Sequence, residues 1–388
     1  MRPPLRLLNQ SVFTGVFALL AIVILISLVV HQQAQIVTGI ESEPPVETAQ
    51  EPIALVDEDP EVSTETTEEA PQLTENLAPE ISQETLETPQ VAHTEEVTVE
   101  IPPLYNTPGM SLDTVNTMTL PALVNILCAS SQGSRVTGAV GSGVIIDPRG
   151  VILTNAHVAQ YLLLQNHPTD PTRCVIRTGA PARSKYTAEV FAFPSAWMQE
   201  YGKDLLLETP EGTGENDWAL LYITGRTDGS ERPPTFPFID FDTRQAVMVT
   251  GDSVLLASYP AGFLGSIVLQ KELWPVSTTV VIQKVYTFTQ SLIDIVSLGG
   301  NIVAQAGSSG GAVVNPWGKL VGIIVTSSFG ETTAERDLRA LTLSHIDSSV
   351  REHENTDLLS FLQQGNFEER VRSFKTSELP SFLEHFPL

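Results

Sequence analysis

The sequence predicts an all-β folded domain behind a membrane span and an acidic stalk, with a short helical region at its C-terminus. Three observations predict it. Residues 12–30 form an uninterrupted uncharged run, long enough to cross a bilayer as a helix. A segment rich in Glu, Pro, Thr, Ser and Gln follows. After Tyr105 the texture changes to short apolar or alternating runs separated by Gly, Pro, Asn and Asp, the pattern of a β-sandwich or barrel. The expected divisions are a cytoplasmic N-terminus over residues 1–11, a transmembrane helix over 12–30 and a disordered stalk over 31–112. A folded β domain then spans 113–350, and a helical tail spans 351–388.

The span is oriented by charge. Arg2 and Arg6 precede it and acidic residues dominate after it, so the positive-inside bias leaves the N-terminus in the cytoplasm and the rest outside. A cleaved signal peptide is the alternative, but no A-x-A site follows; residues 31–35 read His-Gln-Gln-Ala-Gln. Either reading exports the folded part.

The stalk accounts for most of the charge. The chain of 388 residues has a formal net charge of −25, and residues 41–100 carry 18 of its acidic residues with no Lys or Arg. About −7 remains on the rest, ordinary for a soluble domain. Such a stalk buries too little apolar surface to offset its conformational entropy, and repulsion among its carboxylates extends it. No basic patch exists, which excludes nucleic acid as a partner. Two cysteines are too few for a disulfide scaffold and match no zinc spacing, so no metal or other cofactor is expected.

Within the β region, short runs cover residues 123–128, 143–146, 151–154, 174–177, 218–223, 254–258, 279–285, 312–315 and 320–326. Helical periodicity is weak until the end. There Asp347 or Ser348 is a candidate cap for a helix through Glu352, and a second amphipathic stretch covers residues 357–374. No internal repeat is present.

Three local patterns carry chemistry. The first is Gly141-Ser142-Gly143-Val144-Ile145-Ile146-Asp147, a turn, then Val151-Ile152-Leu153-Thr154-Asn155-Ala156-His157-Val158. It delivers an imidazole at the end of a strand, on a rigid element. The second is Asn216-Asp217-Trp218-Ala219-Leu220-Leu221, a carboxylate opening a buried strand. Such a carboxylate can accept an imidazole N–H and fix its tautomer. The third is Gly307-Ser308-Ser309-Gly310-Gly311-Ala312. Its glycines allow a tight turn that aims the N–H groups of Gly307 and Ser309 at one point beside a serine hydroxyl. Each pattern alone has a bland reading: a structural histidine, one Asp before Leu-Leu among several, a Ser in a turn. Asp204, in Asp204-Leu205-Leu206-Leu207, rivals Asp217.

Together, and in the order His, Asp, Ser, these residues resemble the chymotrypsin-like serine peptidases, closest to the HtrA/Deg group. The resemblance covers roughly residues 124–350. It implies two perpendicular six-stranded barrels with the active site between them, His157 and Asp217 on the first and Ser309 on the second. It implies an endopeptidase acting on protein or peptide substrates through an acyl-enzyme, with His157, Asp217 and Ser309 as triad and Gly307 and Ser309 as oxyanion hole. Asp217 is preferred to Asp204 because Ala219-Leu220-Leu221 matches the family strand. The position six before the nucleophile, Val303, is implied as pocket base, with Thr326, Ser327 and Ser328 opposite. No acid lies in residues 301–306, so the pocket suits small or medium apolar side chains, unless Glu331, Glu335 or Asp337 reaches it. The strands holding Cys128 and Cys174 meet in the family where the first barrel closes, which makes a disulfide possible. The alternative is two buried thiols that never meet.

Two departures qualify the resemblance. Ser308 stands where digestive and clotting proteases have an Asp that pairs with a newly cut N-terminus, so activation by that ion pair is not expected. Only 38 residues follow Val350, too few for the PDZ module that HtrA proteins usually carry. The connection from His157 to Asp217 also holds an irregular insert over residues 193–216. Oligomerisation is not indicated. A catalytically silent scaffold of the same fold is the main alternative. An α/β-hydrolase is disfavoured, because its order is Ser, Asp, His around Gly-x-Ser-x-Gly.

Overall fold

The computed structural model describes residues 105–130, 138–207, 212–245, 247–262, 271–288, 292–327, 332 and 336–388. The expected membrane span and nearly all of the stalk lie outside the described residues. Among those described, no helix is long and apolar enough to cross a membrane. All of them fall in one compact unit, residues 95–388.

The folded part begins earlier than the sequence implies. Tyr105, expected in the stalk, stacks on Trp317 with ring centroids 4.2 Å apart. Its hydroxyl donates to Asp242 Oδ2 at 2.6 Å, and Trp317 Nε1 donates to the Thr107 carbonyl at 2.6 Å. A helix, α1 (Leu112–Thr119), follows with Ser111 as its cap.

Six strands then form a closed antiparallel barrel: β1 (Leu123–Ser130), β2 (Ala139–Asp147), β3 (Val151–Thr154), β4 (Thr172–Thr178), β5 (Arg183–Ala192) and β6 (Ala219–Arg226). Their spatial order is β1-β2-β3-β6-β5-β4. Every residue of β3 is buried, as its unbroken run of Val, Ile, Leu and Thr requires. Two helices interrupt the barrel: α2 (Ala156–Leu163) after β3, and α3 (Ser195–Tyr201) within the insert between β5 and β6. The sequence reading had no helix at either place.

The second half is a seven-stranded sheet of β7 (Ser253–Ser258), β8 (Val276–Val281), β9 (Lys284–Tyr286), β10 (Ile295–Gly299), β11 (Ala312–Val314), β12 (Leu320–Ser327) and β13 (Leu338–Thr342). Its order is β8-β7-β11-β12-β13-β10-β9. The expected count was six. The two ends of this order, β8 and β9, are separated in sequence only by Ile282 and Gln283. Ile282 N–H still donates towards β7, to Asp252, while Gln283 N–H donates to Ser297 of β10, each at 2.9 Å. One bent strand thus serves both edges and closes a second barrel. Alternate residues of β7 and β11 face different cores. Leu255, Ala257, Ala312 and Val314 join the large core shared with the first barrel, whereas Val254, Leu256 and Val313 join the second barrel's own. Burial on both faces is why these strands read as continuous apolar runs.

The C-terminal region is helical as expected, but its boundaries and caps differ. Helix α4 (Leu343–Glu354) starts directly after β13, capped by Thr342, whose hydroxyl accepts from His345 N–H. Asp347 and Ser348, the expected caps, lie inside it, and the expected division at Val350 falls within it. Asp357 caps α5 (Leu358–Gln363), Asn366 caps α6 (Phe367–Ser377), and α7 (Leu379–Leu383) follows. These helices return to the first barrel, where Phe367 packs 5.2 Å from Phe191 of β5.

Candidate active site

Strands β3 and β6 pair so that Thr154 lies opposite Ala219. This register brings Asn155, Ala156 and His157 against Asp217. His157 lies in the first turn of α2, three residues past the strand end, not on the strand itself. Asn155 is the N-cap residue, but its side chain makes no capping bond; its amide nitrogen donates to the Asp217 carbonyl at 2.8 Å. The Asp217 carboxylate satisfies the helix start instead: Oδ1 accepts the His157 backbone N–H at 2.9 Å. Oδ2 lies 2.7 Å from His157 Nδ1. One carboxylate therefore grips both the backbone and the ring of the same histidine. Burial alone would lower the pKa of His157, but the charge and hydrogen bond of Asp217 outweigh it and hold the pKa above the ordinary value.

Asp217 is itself braced. Asn216 takes a left-handed conformation, φ 57°, and its Oδ1 accepts from Ser349 Oγ of α4 at 2.8 Å. The same Ser349 Oγ accepts from Trp218 Nε1 at 2.9 Å. One hydroxyl on the C-terminal helix thus bridges the residues on either side of Asp217. Asp204 sits in a 3-10 turn over Gly202–Leu206; the carboxylate bonded to His157 is that of Asp217.

Ser309 lies in a turn between Gly307, φ 89°, and Gly310, φ 82°. Both are left-handed conformations that L side chains rarely adopt. A Cβ on Gly310 would also collide with the Ser142 carbonyl and the Thr154 hydroxyl. The carbonyls of residues 306–309 are engaged: Ala306 accepts from Ala261 N–H at 2.7 Å, Ser308 from Gly311 N–H at 2.9 Å and Ser309 from Ser142 N–H at 2.7 Å. The Gly307 carbonyl accepts from Ser142 Oγ at 2.8 Å. The N–H groups alternate. Those of Ser308 and Gly310 donate to Gln305 and Ile324. Those of Gly307 and Ser309 have no acceptor among the described residues. Ser309 Oγ likewise forms no hydrogen bond among the described residues, so none links it to His157. Ser308 is buried and accepts from Ser258 Oγ at 3.1 Å.

Of the expected pocket, Val303 is fully buried in the second barrel's core while Ile302 beside it is exposed. Thr326 and Ser327 belong to β12, paired with Arg339 and Leu338 of β13. Ser328, Glu331 and Glu335 lie outside the described residues. Asp337, the remaining acid, contacts Ser297 Oγ and Arg339 Nε. Cys128 and Cys174 sit directly opposite each other on β1 and β4 and are joined by a disulfide with Cα atoms 4.0 Å apart.

Sequence reasoning did not find Ser142, Ser349, Asn155 or Ser258. Only Ser142 carries a local signal, a polar residue between two glycines in an apolar strand.

No curated protein matches the chain. Residues 141–323 match the family model of the trypsin-like peptidase domain, a stretch that contains His157, Asp217 and Ser309 and stops before β13 and the C-terminal helices.

Proposed function

We propose that the protein is a serine endopeptidase of HtrA-like type, held to a membrane by residues 12–30. Its peptidase domain works outside the cytoplasm on unfolded or envelope proteins. The observation that carries this reading is the two-point grip of Asp217 on His157, which leaves Nε2 as the ring atom available to take a proton. Ser309 Oγ attacks the substrate carbonyl carbon as its proton passes to His157 Nε2. The developing oxyanion is received by the N–H groups of Gly307 and Ser309. Collapse breaks the peptide bond, and His157 protonates the departing amine. Water then repeats the sequence on the acyl-enzyme. Asp217 holds Nδ1–H and stabilises the imidazolium throughout. The apolar environment of Val303 and the engagement of Asp337 favour Ala, Val or Leu before the cut.

A catalytically silent scaffold is favoured by one observation, the absence of a hydrogen bond from Ser309 Oγ to His157. Apo active sites commonly tighten such bonds only with substrate bound. The test is a fluorophosphonate applied to the full chain. Labelling at Ser309, lost in Ser309→Ala and His157→Ala together with casein cleavage, is expected. A folded wild-type chain that neither labels nor cleaves supports the scaffold.

A further inference from the structure

Ser142 has a hydroxyl that the reaction does not itself use. It lies in β2 of the first barrel, between Gly141 and Gly143, and is fully buried. Its backbone N–H donates to the Ser309 carbonyl at 2.7 Å. Its Oγ donates to the Gly307 carbonyl at 2.8 Å and accepts from Tyr259 N–H at 2.9 Å. Its carbonyl accepts from Thr154 Oγ1 at 2.7 Å. The single hydroxyl proton is therefore committed, and it is committed across the interface between the barrels.

We propose that Ser142 is a positioning residue that sets the oxyanion-binding N–H groups, resting on the reading of Ser309 as nucleophile. In a trans peptide the N–H points away from the preceding carbonyl. Fixing the Gly307 carbonyl on Ser142 Oγ turns the Ser308 N–H towards Gln305. Fixing the Ser309 carbonyl on Ser142 N–H turns the Gly310 N–H towards Ile324. With these alternate peptides pinned, the peptide before them and the one between them, whose Ala306 and Ser308 carbonyls accept from Ala261 and Gly311 N–H, keep Gly307 N–H and Ser309 N–H on the other side of the loop. The hydroxyl also holds Tyr259 at the end of β7, two residues before Ala261, whose N–H fixes the Ala306 carbonyl. An external lock is needed because glycine at 307 lets that peptide turn with little steric resistance.

The test compares the full chain with its Ser142→Ala variant on a peptide ending in Val before the cut, and on the matching peptide boronic acid. The boronate places a tetrahedral oxygen where the oxyanion forms. In Ser142→Ala, kcat should fall about 10- to 100-fold with KM within about threefold. Boronate affinity should fall by the same factor as kcat/KM. The acid limb set by His157 should stay where it is, since His157 and Asp217 keep their partners. Unchanged kcat, or a raised KM with unchanged boronate affinity, would overturn the proposal. Should Ser142→Ala fail to fold, Ser142→Cys keeps the size with a weaker donor. An intermediate loss of kcat is expected there, and wild-type kcat would overturn the proposal. A wild-type chain that binds no boronate and takes no fluorophosphonate removes the nucleophile reading itself, a result distinct from a defect confined to the Ser142 variants.

Discussion

The two barrels hold their share of the site in different ways. In the first, His157 in the opening turn of α2 and Asp217 just before β6 flank the paired strands β3 and β6 of a barrel that closes through strand pairing. In the second, Ser309 lies on a glycine-rich turn, and closure depends on one strand bent at Ile282 and Gln283. The first barrel's geometry is set largely by its own ladder, with Ser349 of α4 bracing the residues on either side of Asp217. The second's is set largely by contacts from elsewhere: Ser142 on the nucleophile loop, and Tyr105 and Trp317 on the β11–β12 turn. On the proposed reading, proton handling is built into a rigid ladder, whereas oxyanion binding and substrate fit depend on contacts between parts distant in sequence.

The largest expected effect falls on the first barrel. Asp217→Asn should lower kcat by about 10³–10⁴, while Asp204→Asn leaves it nearly unchanged. The acid limb of the pH profile should move as well. His157 must be neutral to act as base, so activity is lost as pH falls through its raised pKa. Removing the Asp217 charge leaves burial to lower that pKa, which shifts the limb to lower pH. A lowered plateau with no shift of the limb would mean that Asp217 is not the ring's partner.

Next comes the disulfide that reinforces barrel closure. It joins residues 46 apart, and loop entropy puts its contribution at about 4 kcal/mol. The paired substitution Cys128→Ser with Cys174→Ser should lower denaturant stability by up to that amount while leaving kcat within a few-fold. The denatured, unreduced chain should titrate no thiols; two thiols would remove the bond from the first barrel's account.

The second barrel is probed by substrate choice. Peptides with Val, Ala or Leu before the scissile bond should exceed those with Arg by at least about tenfold in kcat/KM, because Val303 supplies no counter-charge and Asp337 is already engaged. A strong preference for Arg would put Asp337 or Glu331 in the pocket.

What could be read from the sequence follows the same division. His157, Asp217 and Ser309 each sit in a local run whose strand and turn signals are contiguous, so they stand out as candidates in the sequence, whereas the residues that brace them do not. The placement of α4 was misjudged because β13 passes into it without a loop, and Thr342 serves as both strand end and cap. The start of the fold was placed too late because Tyr105 depends on Trp317, which no local pattern connects to it. Ser349 is a plain helical serine in sequence, and only the return of α4 to the first barrel gives it a task.

That task supports the smallest and most specific prediction. Ser349 Oγ accepts from the indole N–H of Trp218, which is almost fully buried, and donates to Asn216 Oδ1. Ser349→Ala strands both groups, and an unsatisfied buried donor costs about 1–3 kcal/mol. Stability should fall by about that much. Activity should fall only a few-fold, because Asp217 keeps its own bonds to His157 and Asn155. Asn216→Gly retains the left-handed backbone while deleting the acceptor. If Ser349 acts through Asn216, adding Asn216→Gly to Ser349→Ala should lower kcat no further. If instead the two losses simply multiply in kcat, α4 supports the fold without bracing Asp217, and the first barrel would owe its geometry to its ladder alone.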